Sequence, residues 1–251
     1  MNIAIITGAS SGLGVEFFKE MQKETLDEVW IIARREDKLR EISEKYGNIK
    51  TRIIPLDLTL YESMLKLQEL LNISEANVKF LINNAGFGVF GPVADADFTK
   101  QGAMVDLNVR ALTEISSIAL KHMKENSYII NVCSIASFVP NANLTVYSST
   151  KAYVMSFSRG LRCELKKRKI NVTAVCPGPM STEFLAVAGI NDGVSKMFDT
   201  LPRTSPSFVV KKSIKAAKRG KDVYTPRLLF KFYRVLAKIL PHSLLISLCK
   251  C

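Results

Sequence analysis

A tyrosine and a lysine stand at a spacing that allows acid–base chemistry. Tyr147 and Lys151 are four residues apart, so on a helix their side chains lie next to each other on one face. An ammonium group about 4 Å from a phenol, at an effective dielectric constant of about 20, favours the phenolate by roughly 4 kcal/mol, or about three pKa units. The pair therefore predicts that the pKa of Tyr147 falls from its usual value of about 10 towards the range useful for a general acid or base.

A serine precedes this pair at a distance that a loop can close. Ser134 stands 13 residues before Tyr147, directly after an apolar run typical of a strand. Its hydroxyl is of the right type to orient a reacting carbonyl oxygen beside the tyrosine. Taken alone, Tyr147 and Lys151 are better explained as an ordinary pair on the surface of a helix, so their interpretation depends on the rest of the chain.

A glycine-rich segment follows the first apolar run. It reads Thr7-Gly8-Ala9-Ser10-Ser11-Gly12-Leu13-Gly14 and leads directly into an amphipathic segment. Glycines at such a turn let the backbone N–H groups of a helix N-terminus approach a pyrophosphate, although packing alone also produces glycine-rich turns. The residues expected to contact a dinucleotide here are Gly8, Ser10, Ser11, Gly12, Leu13 and Gly14.

Two arginines mark the end of the second apolar run. A site that selects NAD places an acidic residue there for the ribose hydroxyls, whereas arginine accommodates the 2′-phosphate of NADP. Arg34 and Arg35 occupy this position and favour NADP(H) as the cofactor. The alternative is that they are only the charged start of a helix, opposed by Glu36 and Asp37.

Two further turns follow later apolar runs. Asp57, with Leu58 beside it, could hold the amino group of an adenine, or it could be the N-cap of the next helix. The segment Asn83-Asn84-Ala85-Gly86 predicts a sharp turn with little bulk, which leaves room for a bound cofactor. We therefore expect Asn84, Ala85 and Gly86 to contact the cofactor.

Strands and helices alternate along the chain in an order that can bring these residues together. Apolar runs without alternation suit strands that are buried on both faces of a parallel sheet. The predicted strands are Ile3–Thr7, Val29–Ala33, Arg52–Leu56, Val78–Asn83, Tyr128–Cys133, Asn171–Cys176 and Asp222–Tyr224. The predicted helices include Val15–Glu24, Tyr61–Leu71, Phe98–Lys121 and Tyr147–Lys166. The predicted fold class is therefore α/β: a single Rossmann-type, doubly wound parallel sheet of seven strands flanked by helices.

The composition is that of an ordinary globular protein. Of the 251 residues, 47% are apolar and 23% are charged, which excludes a disordered, collagen-like or small disulfide-linked protein. No apolar run reaches the ~18 residues of a membrane span, and the first ten residues lack the basic segment of a signal peptide. The five cysteines have no metal-site spacing, so we expect no metal, reduced buried thiols at Cys133 and Cys176, and a cytoplasmic location.

The excess positive charge lies in the last fifth of the chain. Residues 1–202 carry 23 basic and 22 acidic groups, whereas residues 203–251 carry 12 basic groups and one acidic group, so the net charge of +12 divides into +1 and +11. The nearly neutral body argues against nucleic-acid binding. We expect residues 226–251 to form an amphipathic helical extension with a basic stripe at Arg227, Lys231, Arg234 and Lys238. Such a helix either lies at a membrane interface or packs on protein, and the sequence leaves both open.

The complete set of motifs resembles the short-chain dehydrogenase/reductase family. The residues that carry the resemblance, in the family's order, are Thr7–Gly14, Asn83–Gly86, Asn108, Ser134, Tyr147, Lys151 and Pro177-Gly178. They cover about residues 1–202, and every catalytic position is filled. A small departure is Cys133, where the family more often has a serine.

The resemblance implies hydride transfer between NADP(H) and a carbonyl compound or an alcohol. It implies that Tyr147 is the catalytic acid/base. It also implies that Lys151 binds the nicotinamide ribose and lowers the pKa of the tyrosine. It assigns the substrate oxygen to Ser134. Asn108 matches the helix residue that anchors a water molecule of the proton relay.

The resemblance also implies how the nicotinamide end is closed and how subunits assemble. Pro177, Gly178 and Thr182 match the loop that closes over the nicotinamide. A homodimer or homotetramer is implied, built through the long helices at about 98–121 and 147–166.

The substrate end is expected to be apolar. We assign residues 1–225 to the dinucleotide-binding domain, within which a cover segment at about 183–202 lies over the substrate. The expected pocket residues are Phe87, Phe90, Ile135, Phe138 and Phe184, accompanied by Val89, Val139, Leu185, Val187, Ile190, Met197 and Phe198. An apolar ketone or aldehyde, steroid-like or lipid-like, suits such a pocket. Alternatively, these residues are core or oligomer contacts. The alternative substrates are small polar carbonyls, sugars or quinones. A further alternative is that the protein is a non-catalytic scaffold that senses NADP(H).

Overall fold

A parallel sheet of seven strands forms the centre of the molecule. The structure is a computed structural model that describes residues 1–190 and 200–248. The strands are β1 Asn2–Thr7, β2 Glu28–Ala33, β3 Thr51–Pro55, β4 Asn77–Asn83, β5 Tyr128–Val132, β6 Asn171–Val175 and β7 Val223–Tyr224. Their order is β3-β2-β1-β4-β5-β6-β7, and each pair of neighbours is parallel. The predicted fold class is confirmed.

The strand order creates a crevice at one edge of this sheet. From β1 the chain moves outward through β2 to β3 and then returns to add β4 on the other side of β1. The loops that follow β1 and β4 therefore diverge at the carboxyl edge, which is the point where open α/β sheets bind ligands.

Helices cover both faces of the sheet. They are α1 Gly12–Met21, α2 Glu36–Tyr46, α3 Tyr61–Ser74, α4 Phe98–Val105, α5 Leu112–Leu120, α6 Thr145–Glu164, α7 Glu183–Val187, α8 Pro206–Lys218, α9 Leu228–Ile239 and α10 His242–Leu248. Side chains of α1, α2 and α8 pack on one face, and side chains of α3, α5 and α6 pack on the other.

The strands supply both of these layers with alternate residues. Every residue of β2 is buried. Trp30 and Ile32 belong to the layer of α3 and α5, whereas Val29 and Ile31 belong to the layer of α1 and α2. Because successive side chains of a strand point to opposite faces, a sheet covered on both sides requires uninterrupted apolar runs.

The predicted helix over Phe98–Lys121 is interrupted. α4 ends at Val105, residues Asp106–Ala111 are π-helical, and α5 begins at Leu112. A π-helical turn places its residues differently from an α-helix and is frequent at functional sites. Asn108 lies inside this π-helical segment. The sequence pattern predicted a continuous helix here and did not indicate the π-helical turn.

The last two helices pack on the body of the domain. Phe230 of α9 is only 1% exposed, and Ala237 and Leu245 form a buried cluster with Val139. The predicted helix after Pro226 is therefore present, with one side covered by protein. Within the part of the chain that the structure describes, no helix has both the length and the apolar content to cross a bilayer.

The predicted basic stripe does not form a single exposed row. Arg227 donates to the Thr204 hydroxyl and to a backbone carbonyl, and Arg234 is half-buried, with Nη1 3.5 Å from Thr225 Oγ1. Lys231 and Lys238 are exposed. The two arginines of the stripe therefore contact other parts of the protein, and the two lysines lie on the surface.

The close approach between the glycine-rich turn and α1 can be tested by substitution. In Gly14→Ala the added Cβ would lie 2.1 Å from the Gly8 carbonyl oxygen, so the backbone must shift. We expect urea denaturation followed by circular dichroism to show a loss of about 1–3 kcal/mol in the free energy of unfolding.

The matched control is Gly102→Ala in α4. A Cβ on Gly102 would have no atom within 4 Å. At an exposed helical position, alanine stabilises the folded protein by up to about 1 kcal/mol relative to glycine. Equal stability of the two variants would contradict the close approach at Gly14.

Candidate active site

A cavity of about 1060 Å³ opens at the carboxyl edge of the sheet. The turns after β1 to β6 line it, together with α7 and α9. The predicted cofactor residues that line it are Gly8, Ser10, Ser11, Gly12, Leu13, Arg34, Arg35, Asp57, Leu58, Asn84, Ala85, Gly86, Tyr147, Lys151, Pro177, Gly178 and Thr182. Gly14 does not line the cavity, because it packs behind the turn against Gly8 and Ala9.

The turns after β1 and β4 are bonded to each other across the floor of the cavity. Thr7 Oγ1 accepts hydrogen bonds from the backbone N–H groups of Asn84 and Ala85, each at 3.0 Å. The Asn84 side-chain amide donates to the carbonyl oxygens of Thr7 and Gly8 at 3.0 Å. Gly8 has a φ of +64°, and a Cβ there would lie 2.8 Å from Ala85 Cα. Only glycine fits this crossing.

Two guanidinium groups stand at the end of β2. Arg34 is largely exposed, and its Nη1 lies 3.9 Å from Asp57 Oδ2. Arg35 Nη2 lies 3.2 Å from Ser10 Oγ in the glycine-rich turn and 3.0 Å from Glu183 Oε2 at the start of α7. This corner of the cavity therefore presents positive charge next to the turn.

Asp57 is not the N-cap of α3. That helix begins at Tyr61 with Leu60 at the N-cap, whereas Asp57 Oδ1 accepts from the backbone N–H and hydroxyl of Thr59 at 2.9 and 2.7 Å. Burial works to raise the pKa of Asp57, but the Thr59 bonds and the charge of Arg34 outweigh it and lower the pKa. The N-cap interpretation is wrong, because the aspartate closes a local turn two residues before that cap. Its other oxygen faces Arg34.

Tyr147 and Lys151 are brought together on the buried side of α6. Both side chains are buried, and Lys151 Nζ lies 5.7 Å from the centre of the Tyr147 ring. The Lys151 ammonium donates to the Val132 carbonyl oxygen at 3.0 Å. The Tyr147 ring packs against the Phe184 ring with centres 5.5 Å apart. The pair is therefore not an ordinary surface pair.

The structure opposes the predicted lowering of the Tyr147 pKa. Burial disfavours the phenolate and raises the pKa of Tyr147, and the hydrogen bond from Ser134 opposes this only in part. The charges of Cys133 and Cys176 raise the pKa of Tyr147 further, and burial lowers the pKa of Lys151. The site therefore holds Tyr147 as a protonated phenol at neutral pH.

Ser134 begins a short 3₁₀ turn after β5. Its Oγ accepts from the backbone N–H of Ala136 at 3.1 Å, which fixes the side chain as an N-cap. The Ser134 side chain also makes a hydrogen bond with Tyr147. The backbone N–H of Ile135 donates to the Pro177 carbonyl oxygen at 3.0 Å and joins this turn to the loop after β6. The predicted proximity of Ser134 and Tyr147 is present in the structure.

Asn108 supports the site from behind. Its Oδ1 accepts from the Phe87 N–H at 3.1 Å, and its amide donates to the Phe87 carbonyl at 2.9 Å and to Thr150 Oγ1 at 3.1 Å. A Cβ on Gly86 would lie 2.7 Å from Asn108 Oδ1 and 3.5 Å from Lys151 Nζ. The asparagine thus fixes the turn after β4 against α6 without lining the cavity.

The predicted apolar residues divide into two groups. Phe87, Ile135 and Phe184 line the cavity, together with Val89, Leu185, Val187 and Ile190. Phe90 instead packs beside Met104 and Leu144, and Phe138 lies 5.9 Å from the Tyr233 ring, next to Val139. Both are thus core contacts, as the alternative interpretation proposed. Met197 and Phe198 lie outside the described residues.

Helix α9 forms a cavity wall that sequence reasoning missed. Its cavity-lining residues, followed by one from α10, are Leu229, Phe230, Tyr233, Leu236 and Leu245. Phe230 packs directly on Gly178, where a Cβ would lie 2.2 Å from the phenyl ring. The apolar positions of residues 226–240 were visible in the sequence, but the periodicity does not say which side of the helix faces a cavity.

The fold and the motifs have counterparts among known proteins. The sequence model of the short chain dehydrogenase family matches residues 2–191. A probable NADP-dependent dehydrogenase of Haemophilus influenzae is 33% identical over 211 residues, which are 81% of this chain and 82% of that protein. An uncharacterized oxidoreductase of Staphylococcus aureus is 30% identical over 192 residues, covering 76% and 83%.

A solved structure extends the similarity to almost the whole chain. The short-chain dehydrogenase from Sphingobium yanoikuyae, in complex with NADPH, superposes with a TM-score of 0.79. It is 25% identical, and the match covers 96% of each chain.

The raised pKa of Tyr147 predicts a missing titration step. Ultraviolet absorbance of phenolate in wild type and Tyr147→Phe should remain the same up to about pH 10, where ordinary tyrosines ionise. Because folding raises this pKa, the stability contributed by the buried phenol is present below about pH 10 and is lost as the pH rises through the folded value.

The control for this titration is Tyr61→Phe, which removes a phenol from the exposed surface of α3 and leaves the buried site unchanged. A phenolate signal near neutral pH that is present in wild type and absent from Tyr147→Phe would contradict the assignment.

Proposed function

The chain belongs to the short-chain dehydrogenase family, and from this premise we propose that it uses NADP(H) to interconvert a carbonyl compound and an alcohol. The observation that carries the proposal is the burial of Tyr147 and Lys151 beside Ser134, in the same cavity as the glycine-rich turn. A scaffold protein has no use for a buried phenol and ammonium at this place, because both cost desolvation free energy.

The residues of the cavity suit NADP(H). At Gly8 the packing leaves no space for a side chain, so bare backbone faces the cavity next to the N-terminus of α1, where a pyrophosphate is favoured. Arg34 and Arg35 would hold the 2′-phosphate. The name of the Haemophilus influenzae relative and the NADPH bound to the Sphingobium yanoikuyae protein support this choice. When bound, NADPH supplies the hydride for reduction.

The side chains of the site divide the proton chemistry between them. In the reductive direction Tyr147 would donate its phenolic proton to the carbonyl oxygen of the substrate, whose carbon would receive the hydride that bound NADPH supplies. Ser134 donates a hydrogen bond to the same oxygen as charge develops on it. Lys151 would hold the nicotinamide ribose, and water returns the proton to Tyr147. Asn108 maintains the backbone that borders this path.

The substrate that best fits the remaining space is an apolar ketone or aldehyde. The cavity that holds Tyr147 is bordered by aromatic and aliphatic side chains from four parts of the chain, namely Phe87, Ile135, Phe184, Leu229 and Leu236. A pocket of this composition favours a ligand with a large apolar surface and few polar groups. A steroid-like or lipid-like carbonyl compound meets this requirement better than a sugar.

Turnover of a graded set of carbonyl compounds tests this function. We expect NADPH consumption with apolar ketones and aldehydes and little with sugars, and a loss of at least about 100-fold in Tyr147→Phe, since only the wild type has the acidic proton. NADPH binding, measured by fluorescence, should be retained in the variant. If Tyr147→Phe turns over as fast as wild type, the tyrosine is not the acid. If NADPH binds but nothing turns over, the sensing alternative is favoured.

The arginines predict the choice of cofactor. Arg34→Asp should weaken NADPH binding by at least about tenfold, or about 1.4 kcal/mol, because a charged contact to phosphate is lost. NADH binding should not weaken in this variant. Arg219→Asp, directly after α8 and before β7 at the opposite edge of the sheet, is the control. Equal losses for NADPH and NADH in Arg34→Asp would contradict the selectivity.

The contact between Arg35 and Glu183 adds a second, opposite effect. A cofactor phosphate must compete with the Glu183 carboxylate for Arg35, so Glu183→Gln should bind NADPH more tightly. Because the pair is exposed, the gain is limited to about fivefold. Weaker binding in Glu183→Gln would show that the carboxylate does not compete.

The dimer or tetramer implied by the resemblance stays a prediction. Helix α4 does expose Phe98 and Val105, and α6 exposes Tyr153, which stacks on Phe157. These side chains lie on the two long helical segments that were expected to join subunits.

A further inference from the structure

Helix α9 exposes a row of large apolar side chains on the side that faces away from the protein. The row, here named the outer face, consists of Leu228, Phe232, Val235 and Ile239, which are 80%, 62%, 49% and 72% exposed. Their spacing of 4, 3 and 4 residues places them on one line along the helix. Scattered apolar residues on a surface are ordinary, but a continuous row of this size indicates a binding surface.

The packing of α9 on the domain determines which side of the helix becomes the outer face. On the opposite side of the same helix Phe230 and Ala237 are buried in the body of the domain. Arg234 is half-buried, with its guanidinium next to Thr225. The exposure of the outer face therefore follows from how α9 is docked, and rotation of the helix to hide the row would expose Phe230.

Positive charge accompanies the outer face. Lys231 and Lys238 are exposed and lie on one flank of the row, one helical repeat of seven residues apart. The sequence from residue 223 to residue 251 contains five basic residues and no aspartate or glutamate. A partner for this surface must therefore combine an apolar layer with negative charge.

We propose that the outer face of α9 docks on the surface of an anionic lipid bilayer. The apolar row would enter the boundary between headgroups and acyl chains, and the two lysines would meet lipid phosphates, as in other interfacial amphipathic helices. A second copy of the chain suits the surface less well. A two-fold contact between antiparallel copies of α9 would bring the lysine flank of one subunit next to that of the other, without a carboxylate on this segment to separate them.

If the proposed function holds, docking on a bilayer would also affect how a substrate reaches the cavity. The residues Leu229 and Leu236 of α9, together with Leu245 of α10, line the cavity, so a single helix separates the active site from the docking surface. An apolar substrate dissolved in the bilayer would reach the cavity along α9 without crossing water.

Vesicle binding by the full chain tests the docking without any need for turnover. We expect wild type to co-sediment with phosphatidylcholine vesicles that contain phosphatidylglycerol and not with phosphatidylcholine alone. The double variant Phe232→Ser, Ile239→Ser should bind at least about tenfold more weakly, and so should Lys231→Glu, Lys238→Glu. Matched controls are Ile73→Ser on α3, where the side chain is 73% exposed, and the exposed Lys167→Glu after α6.

Two results would overturn the proposal. One is that wild type fails to bind anionic vesicles, or that the outer-face variants bind as well as the controls while circular dichroism shows all of them folded. The other is that light scattering shows the outer-face variants losing a dimer that the controls retain, which would assign the surface to a second copy. Because NADPH consumption on a water-dissolved ketone is measured separately, loss of docking and loss of catalysis are distinguishable.

Discussion

The backbone crossing between the turns after β1 and β4 is the constraint on which the site depends. Gly8 passes Ala85 so closely that the turn after β1 cannot carry a side chain there, and Thr7 and Asn84 bond the two turns together. This crossing sets the floor of the cavity at the point where the strand order reverses. The turn after β4 is also hydrogen-bonded to Asn108, which in turn bonds to Thr150 on α6. These bonds position Tyr147 and Lys151, which lie on the same helix, relative to the glycine-rich turn.

The fold and most of the candidate site could be predicted, because the signals for them are local. Uninterrupted apolar runs such as the one ending at Ala33 specify strands covered on both faces, and the four-residue spacing of Tyr147 and Lys151 specifies a shared helix face. Parallel strands then bring their carboxyl ends to one edge whatever lies between them. The prediction of an NADP(H) preference rests on two side chains, Arg34 and Arg35, at a place that the topology determines.

The features that sequence reasoning missed depend on tertiary contacts. Whether Tyr147 has a raised or a lowered pKa depends on how deeply its phenol is buried, which the spacing of Tyr147 and Lys151 does not reveal. The π-helical turn Asp106–Ala111 leaves no pattern in the sequence, since it contains no proline or glycine that would mark a break in the helix. The amphipathic pattern of α9 was plain, but only packing shows that one apolar side closes the cavity while another stays exposed.

Transfer of deuterium from NADPH labelled at the reactive nicotinamide carbon tests the central claim most directly. The account predicts that an apolar ketone incubated with the wild-type protein yields an alcohol with the label on its former carbonyl carbon, detected by mass spectrometry, and that Tyr147→Phe yields almost none. An alcohol without the label, or a labelled alcohol formed equally well by Tyr147→Phe, would contradict the hydride transfer and the proton donor assigned to this site.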